Sequence, residues 1–290
     1  MTGFSDYTSK ASLNWLTGSV AMPALAAIYM ALFTVAPADD GSGGTEVTGG
    51  SYARVQVAGS VATNGTTASG NPTLNFASVP AWITIGMNIY DTTGAGRIPA
   101  ATVLSKTSTT VVMSANATGS GVGSGDNIVF SAFGAATGSA PSSSVNTAVI
   151  TFPTPTANWG TVVSFALYDA STSGNFLCGD YLGNFAWLPA TVSAASPGVI
   201  TAKAHGYSAA DTFVFSTEYG GTAPSFSQSN FTGLLAVVSP GSDTLTATNA
   251  ATAVNTSSTG GGMIRKVASQ SIPNNVTASF AASALTLAVA

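Results

Sequence analysis

The stretch VNTAVITFPTPTANWGTVVSFALYDASTSGNFLCGDY, residues 145–181, decides the fold class. It reads as strand, corner, strand, turn, strand. Val163, Phe165 and Leu167 alternate with Val162, Ser164 and Ala166, so the middle strand carries one strongly apolar face. Asp169 and the Gly174-Asn175 pair suit a tight reversal, because Gly and Asn accept positive φ at little steric cost. None of these residues has a catalytic partner at local spacing. The stretch predicts an architecture and no activity.

Composition works outward from there. Apolar residues make up 45% of the 290, enough to bury a substantial core, while charged residues make up 6%, against about 25% in an ordinary soluble domain. Disordered chains combine low hydrophobicity with high charge, so this is not their signature. A surface of Ser, Thr, Gly and Asn on short strands fits a protein packed into an assembly or standing outside a cell. So few charges give little electrostatic defence against self-association, and a permanent homo-oligomer is expected. The net charge of −4 provides no basic stripe, so nucleic-acid binding is not expected. The single Cys178 rules out an intrachain disulfide framework and reads as a small buried hydrophobe.

Along the chain, Phe4, Tyr7, Ala11, Leu13 and Trp15 recur near helical spacing after a Ser5-Asp6 cap, which predicts one amphipathic helix ending near Gly18. The run Ala24–Phe33 is too short for a membrane span and is opened by Pro23. A secretory signal is the other reading, opposed by Asp6 in the would-be basic region. A buried strand is expected there, with no membrane insertion. Residues 37–50 form a loop with Asp39, Asp40 and Glu46, without the alternating spacing of a calcium loop. A strand over Tyr52–Val57 follows. From 77 to 134 the texture changes to short strand candidates (Trp82–Tyr90, Thr102–Lys106, Thr110–Ser114, Asn127–Phe130) separated by glycines. A second such region, 188–264, holds Gly198–Lys203, Thr212–Ser216, Leu234–Val238 and Thr244–Thr248. Apolar strands resume at Val267–Ile272 and Val276–Val289. The expectation is a mainly β protein: an antiparallel β-sandwich core (1–76, 135–187 and 265–290), a short N-terminal helix and two inserted small β modules (77–134 and 188–264).

The segments MTGFSDY (1–7), IYMALFT (28–34), GGSYAR (49–54), ITFP (150–153), NWGTV (158–162), FALYD (165–169) and SALTL (283–287) resemble, in this order, a family of tailed-bacteriophage tail-fibre-like or virion structural proteins. Its members look like this chain with 77–134 and 188–264 removed. Those two regions resemble modules of phage fibre and surface proteins, through GMNIYD (86–91), TVVMS (110–114) and GDNIVF (125–130) in the first. The second carries PGVITA (197–202), HGYSAADTFVF (205–215) and DTLTAT (243–248), but has LLAVV (234–238) where the module has a Tyr-Val-Val strand. The resemblance implies a virion protein assembled in the host cytoplasm, with other tail or capsid proteins as partners. It fits a tail-fibre-like surface appendage, with a capsid decoration protein as the alternative placement. A glycan- or receptor-binding adhesin module is compatible with either.

No catalytic, cofactor-binding or metal-ligating residues are expected. His205 is the only His, precedes Gly206 in a turn-like context, and no Gly-x-Ser-x-Gly elbow occurs. One His and one Cys do not make an ordinary zinc site. Asp91, Asp126, Asp169, Asp180, Asp211 and Asp243 fall at strand ends or turns, where turn chemistry accounts for them as well as glycosidase chemistry does. No Gly-Lys-Ser/Thr loop or dinucleotide Gly pattern is present, so no cofactor is expected. Trp82, Trp159 and Trp187, with Tyr219 and Phe226, are candidates for a sugar-stacking platform, core burial being their other fate.

Overall fold

A computed structural model describes residues 3–21, 26–94, 96–138, 142–217, 220–225 and 233–289. The stretch 145–181 supplies the strands Gly160–Val162, Ser164–Tyr168 and Phe176–Tyr181. All five residues of Ser164–Tyr168 are buried. Both faces of this strand are covered, where the alternation predicted one, because Ser164 and Ala166 are small enough for close packing on the second side. The reversal after it forms as expected. Asp169 accepts hydrogen bonds from the backbone N–H (2.7 Å) and side-chain amide (2.7 Å) of Asn175. Ser173 and Gly174 take positive φ, and a side chain at Gly174 would meet Asp169 Oδ1 at 2.6 Å.

The protein is mainly β, built of antiparallel sheets with one short N-terminal helix. It divides into two units: Met1–Gly160, Phe165–Asp180 and Ser271–Ala290 form the first, Thr161–Ser164 and Tyr181–Gln270 the second. In the first unit, one sheet runs in the order Gly3–Phe4, Phe176–Tyr181, Ser164–Tyr168, Ala27–Val35, Val55–Ala62, Asn127–Ser131, Asn88–Asp91, Ala101–Lys106, Thr110–Met113, Thr73–Asn75. The short strand Thr45–Glu46 pairs on the side of Ala27–Val35. Met30–Phe33 are buried, as a central strand requires; residues 22–25 of the predicted apolar run lie outside the described residues. Phe130, Leu74, Ile83, Ile89, Met113 and Ile128 are fully buried beneath the strands of 73–131. Residues 77–134 lie within this unit, and Asn127–Ser131 pairs in register with Val55–Ala62.

The second unit has an eight-stranded sheet: Thr244–Leu245, Ile200–Thr201, Leu188–Val192, Gly260–Val267, Thr212–Ser216, Leu235–Val237, Ala247–Asn249, Thr252–Ala253. Residues 188–264 lie within it. Phe213, Leu235, Val237, Ile200, Leu245 and Ile264 form its core. The central strand opens Gly260-Gly261-Gly262, and a side chain at Gly262 would meet Ser216 O at 2.4 Å.

Several elements differ from expectation. The predicted Trp82–Tyr90 strand starts only at Asn88, in the strand Asn88–Asp91; residues before it turn through Ile83 N–H to Pro80 O and Met87 N–H to Thr84 O, with Gly86 at φ +88°. The Val276–Val289 strand is two pieces, Ser279–Phe280 and Thr286–Val289. The strand predicted over Tyr52–Val57 starts at Val55 and runs to Ala62. The helix spans Asp6–Leu16, capped by Ser5, whose Oγ accepts from Thr8 N–H at 3.2 Å. The spacing predicts an amphipathic helix, yet none of its residues is buried.

Candidate functional site

Trp82 comes closest to a binding site among the aromatic candidates. It sits in a turn fixed by Lys106, whose ammonium donates to Ala81 O at 3.2 Å and to Ile83 O. The half-buried indole meets the Phe130 ring edge-on at 6.4 Å between centroids. It crosses the Val55–Ala62 strand at Gly59, where a Cβ would lie 3.2 Å from the indole and 2.4 Å from Gln56 Nε2. Gly59 is therefore the residue that admits the ring. Trp82 lines an open cavity of about 210 Å³ with Val55, Gln56, Met87, Val149 and Thr151. Of the polar residues in this lining, Gln56 donates through Nε2 to Ala58 O at 3.2 Å and Thr151 Oγ1 meets Ser279 Oγ at 3.4 Å; an aromatic residue beside polar ones suits a small polyol, whose C–H faces stack and whose hydroxyls hydrogen-bond.

The other two tryptophans are differently placed. Trp159 is 5% exposed, donates its N–H to Gly50 O at 3.1 Å and packs on Tyr52 at 5.2 Å. Trp187 is half-buried in the second unit beside Val163, Val214 and Val267, with Tyr181 at 6.2 Å and the Arg265 guanidinium at 5.9 Å. Tyr219 and Phe226 lie outside the described residues.

Two of the candidate acids are brought together. Asp91 and Asp126 flank Arg97, which reaches Asp91 Oδ2 through Nε and Nη2 (both 2.7 Å) and Asp126 Oδ2 through Nη1 (2.7 Å). Asp91 also accepts from the N–H groups of Thr93 (2.9 Å) and Gly94 (3.0 Å), and Asp126 from that of Gly123 (2.5 Å). This is a clamp joining two loops. Each carboxylate is engaged with a cation and with backbone, so neither is placed to work as a glycosidase acid or base on an open cleft. Arg97 was not legible as the shared partner, since it stands 29 residues before Asp126.

The remaining acids act locally. Asp243 accepts from Ala204 N–H at 2.9 Å, and Asp180 is buried in the Phe176–Tyr181 strand. Asp211 is paired with Lys266 (2.7 Å) and accepts from Ser208 N–H (2.8 Å). Burial works to raise its carboxyl, but Lys266 and the Ser208 N–H outweigh that and hold it below the ordinary value of 3.8. Glu46 does not share a loop with Asp39 and Asp40. It lies on a strand and grips Arg54 twice (2.9 and 2.7 Å), while Asp40 caps Ser42 N–H at 2.8 Å. Arg54 in turn covers the Tyr168 ring at 3.7 Å and donates to Ala170 O and Ser173 O. Glu46 Oε1 also accepts from the Tyr52 hydroxyl at 3.0 Å. Among the described residues no three His, Cys, Asp or Glu gather as a metal site.

His205 is a buried turn residue. Its Nδ1 accepts from Tyr207 N–H at 2.9 Å, which leaves Nε2 as the donor toward Thr244 O at 3.3 Å. Burial pushes the Cys178 thiol up to about 12, with the charge of Asp180 adding to it, so the thiolate needed for reactivity is scarce at neutral pH.

The chain matches the family model described as podophage GP4 fiber I protein gp80 over residues 3–132 and 114–185. A search of the curated proteins finds no match.

Proposed function

The chain belongs to the podophage GP4 fiber I protein gp80 family, a phage fibre structural family, and from that premise we propose that it is a non-enzymatic part of a tail-fibre-like appendage. It is a virion component; its partners in this reading are other tail proteins, joined during assembly in the host cytoplasm. The observation that carries the non-enzymatic part is the Asp91–Arg97–Asp126 clamp, since this pair of candidate acids is tied to a guanidinium and three backbone N–H groups.

Placement is tested on purified particles with an antibody to this chain, by immunogold microscopy and by copy number from quantitative mass spectrometry. Label at the tail, at a few to tens of copies, is the expected result. Label spread over the head at hundreds of copies overturns it in favour of capsid decoration.

A second activity is favoured by the Trp82 cavity, which Trp82, Gln56 and Thr151 line together. We infer a host surface glycan as its ligand. Trp159 and Trp187 have no part in that site. Binding of host polysaccharide without turnover supports this reading, and release of oligosaccharide products would refute the non-enzymatic one.

A further inference from the structure

Asn64 is the one Asn in the chain that a Gly follows, and Asp40 is the one such Asp. The two pairs share a chemistry. Gly has no side chain to shield its backbone nitrogen, which can attack the side-chain carbonyl of the residue before it and close a five-membered succinimide. The fold treats the two pairs differently. Asp40 Oδ1 accepts from Ser42 N–H at 2.8 Å. The Ser42 side chain and N–H hold the Asp40 carboxyl below its ordinary value of 3.8, so an attacking nitrogen meets an anion there. Gly41 N–H is itself donated to Ala38 O at 2.8 Å. The Asp40 pair is therefore closed on both sides.

The Asn64 pair is open. Asn64 is exposed, and its amide side chain makes no hydrogen bond among the described residues. Gly65 N–H reaches only an exposed side-chain acceptor, Ser124 Oγ at 3.2 Å, the long end of the hydrogen-bond range. Gly65 takes φ +127°, so the turn itself calls for glycine at this position. Other Asn side chains are held: Asn146 by Ala148 O (2.9 Å), Ala281 O (2.7 Å) and Leu285 N–H (2.8 Å), and Asn175 by Asp169. The Asn64 turn also has a structural duty. The strand Thr73–Asn75 ends the sheet of the first unit, and residues 63–67 cover its outer edge. Asn64 N–H donates to Asn75 O at 2.8 Å, and Thr67 Oγ1 to Thr73 O at 2.7 Å.

We propose that Asn64 is a modification site. It deamidates through the succinimide, Ser124 is the brake on that reaction, and the isoaspartyl product loosens the cover over the Thr73–Asn75 edge. Gly65 N bonds to Asn64 Cγ and gives its proton to solvent base, while the Cγ–Nδ2 bond breaks and ammonia leaves. Water then opens the ring. Opening at Cγ leaves an aspartyl residue on an unchanged main chain. Opening at the backbone carbonyl leaves an isoaspartyl residue, with one extra carbon in the main chain between 64 and 65. Nothing is oxidised or reduced, and water is the one co-reactant. Either product adds a negative charge to a chain of net charge −4. Only the isoaspartyl product also displaces Thr67 from Asn64, and these are two of the points at which the edge is tied.

Neither tail placement nor glycan binding is needed for this chemistry. The full chain is incubated in heavy-oxygen water at mildly alkaline pH, digested, and mapped by mass spectrometry with electron-transfer fragmentation, which separates aspartyl from isoaspartyl. Solvent oxygen is expected first at residue 64, in both products, with Asp40 neither labelled nor isomerised. S124A is expected to speed the labelling severalfold, and N64Q to leave that position unlabelled. Both substituted positions are exposed, and unchanged far-UV spectra check the fold. Hydrogen exchange on the incubated wild type is expected to show lost amide protection across 64–75. Freshly prepared N64D, which carries the charge on an unaltered main chain, is expected to keep it. Labelling of another Asn ahead of residue 64, or isomerisation of Asp40 ahead of it, overturns the proposal. So does a labelling rate that S124A leaves unchanged. Equal loss of protection in fresh N64D would trace the effect to charge instead of the lengthened main chain, and overturns it as well.

Discussion

Arg97 is the residue whose removal says most about how this chain uses its charges. Replacing it with Met keeps much of the aliphatic stem and deletes the guanidinium. Two carboxylates then lose their common cation at once: the side chain of Asp91 is 2% exposed, that of Asp126 13%, and that of Arg97 17%. Removing the shared partner leaves both carboxylates without their cation, which is destabilising. The backbone N–H groups of Thr93, Gly94 and Gly123 remain, and they soften the loss. A loss of stability on Arg97→Met is therefore expected, confined to the first unit. Because the protein has two units, a single global unfolding free energy is not well defined. Hydrogen exchange read peptide by peptide is the better assay. Protection should fall severalfold across 88–131, while peptides from 188–264 stay as they were. The double variant R97M/D126N should recover part of the loss by removing one stranded charge. Unchanged protection across 88–131, or a fall spread equally over both units, would refute the reasoning.

Other outcomes follow from the same contacts. The Asp211 carboxyl is held below its ordinary value by Lys266 and Ser208 against the effect of burial, so its contribution to stability is complete above that value. The contribution is lost as pH falls through the depressed folded value. Thermal scans of the wild type should lose stability of the second unit below about pH 4, and D211N should flatten that limb by under about 1 kcal/mol for this partly exposed pair; an unchanged limb sinks the assignment. For Trp82, W82A should weaken host-glycan binding by about 2 kcal/mol, near thirtyfold in Kd by titration calorimetry, and unaltered affinity would remove the indole from the site. Residues 188–264 lie within the second unit, so joining 187 to 265 with a short Gly-Ser linker should leave the first unit folded; loss of its protected amides would show the two units to be interdependent.

What the sequence revealed was local. The Asp169 to Asn175 reversal was legible because donor, acceptor and positive-φ positions lie within seven residues. The Ser5 cap and the Gly18 stop were legible for the same reason. The clamps were not, because Arg97 meets Asp126 and Arg54 meets Tyr168 only once strands distant in sequence have paired. Trp82 could be listed with Trp159 and Trp187, yet its openness depends on Gly59, a glycine that reads as nothing more than a weak point in a strand. The helix shows a further limit. Spacing near 3.6 residues identifies an apolar face, but whether the same chain covers that face is decided elsewhere.

These contacts sharpen the argument from composition. Seven Lys and Arg are few for 290 residues, and most of them are engaged by the chain's own carboxylates and carbonyls. Arg54 and Arg97 hold loops through carboxylates and carbonyls, Lys106 fixes the Trp82 turn, Lys266 pairs with Asp211, and Arg265 is buried. Lys10 pairs with Asp6 across one helical turn at 3.6 Å. The outer surface is therefore poorer in charge than 6% suggests, while Leu13, Trp15, Leu16, Ile85, Leu104 and Val149 stand exposed upon it. Charges that a free monomer would use to stay apart from its copies are here committed to internal anchoring. That allocation fits a chain whose working environment is a particle, where neighbours, and not water, meet the apolar surface.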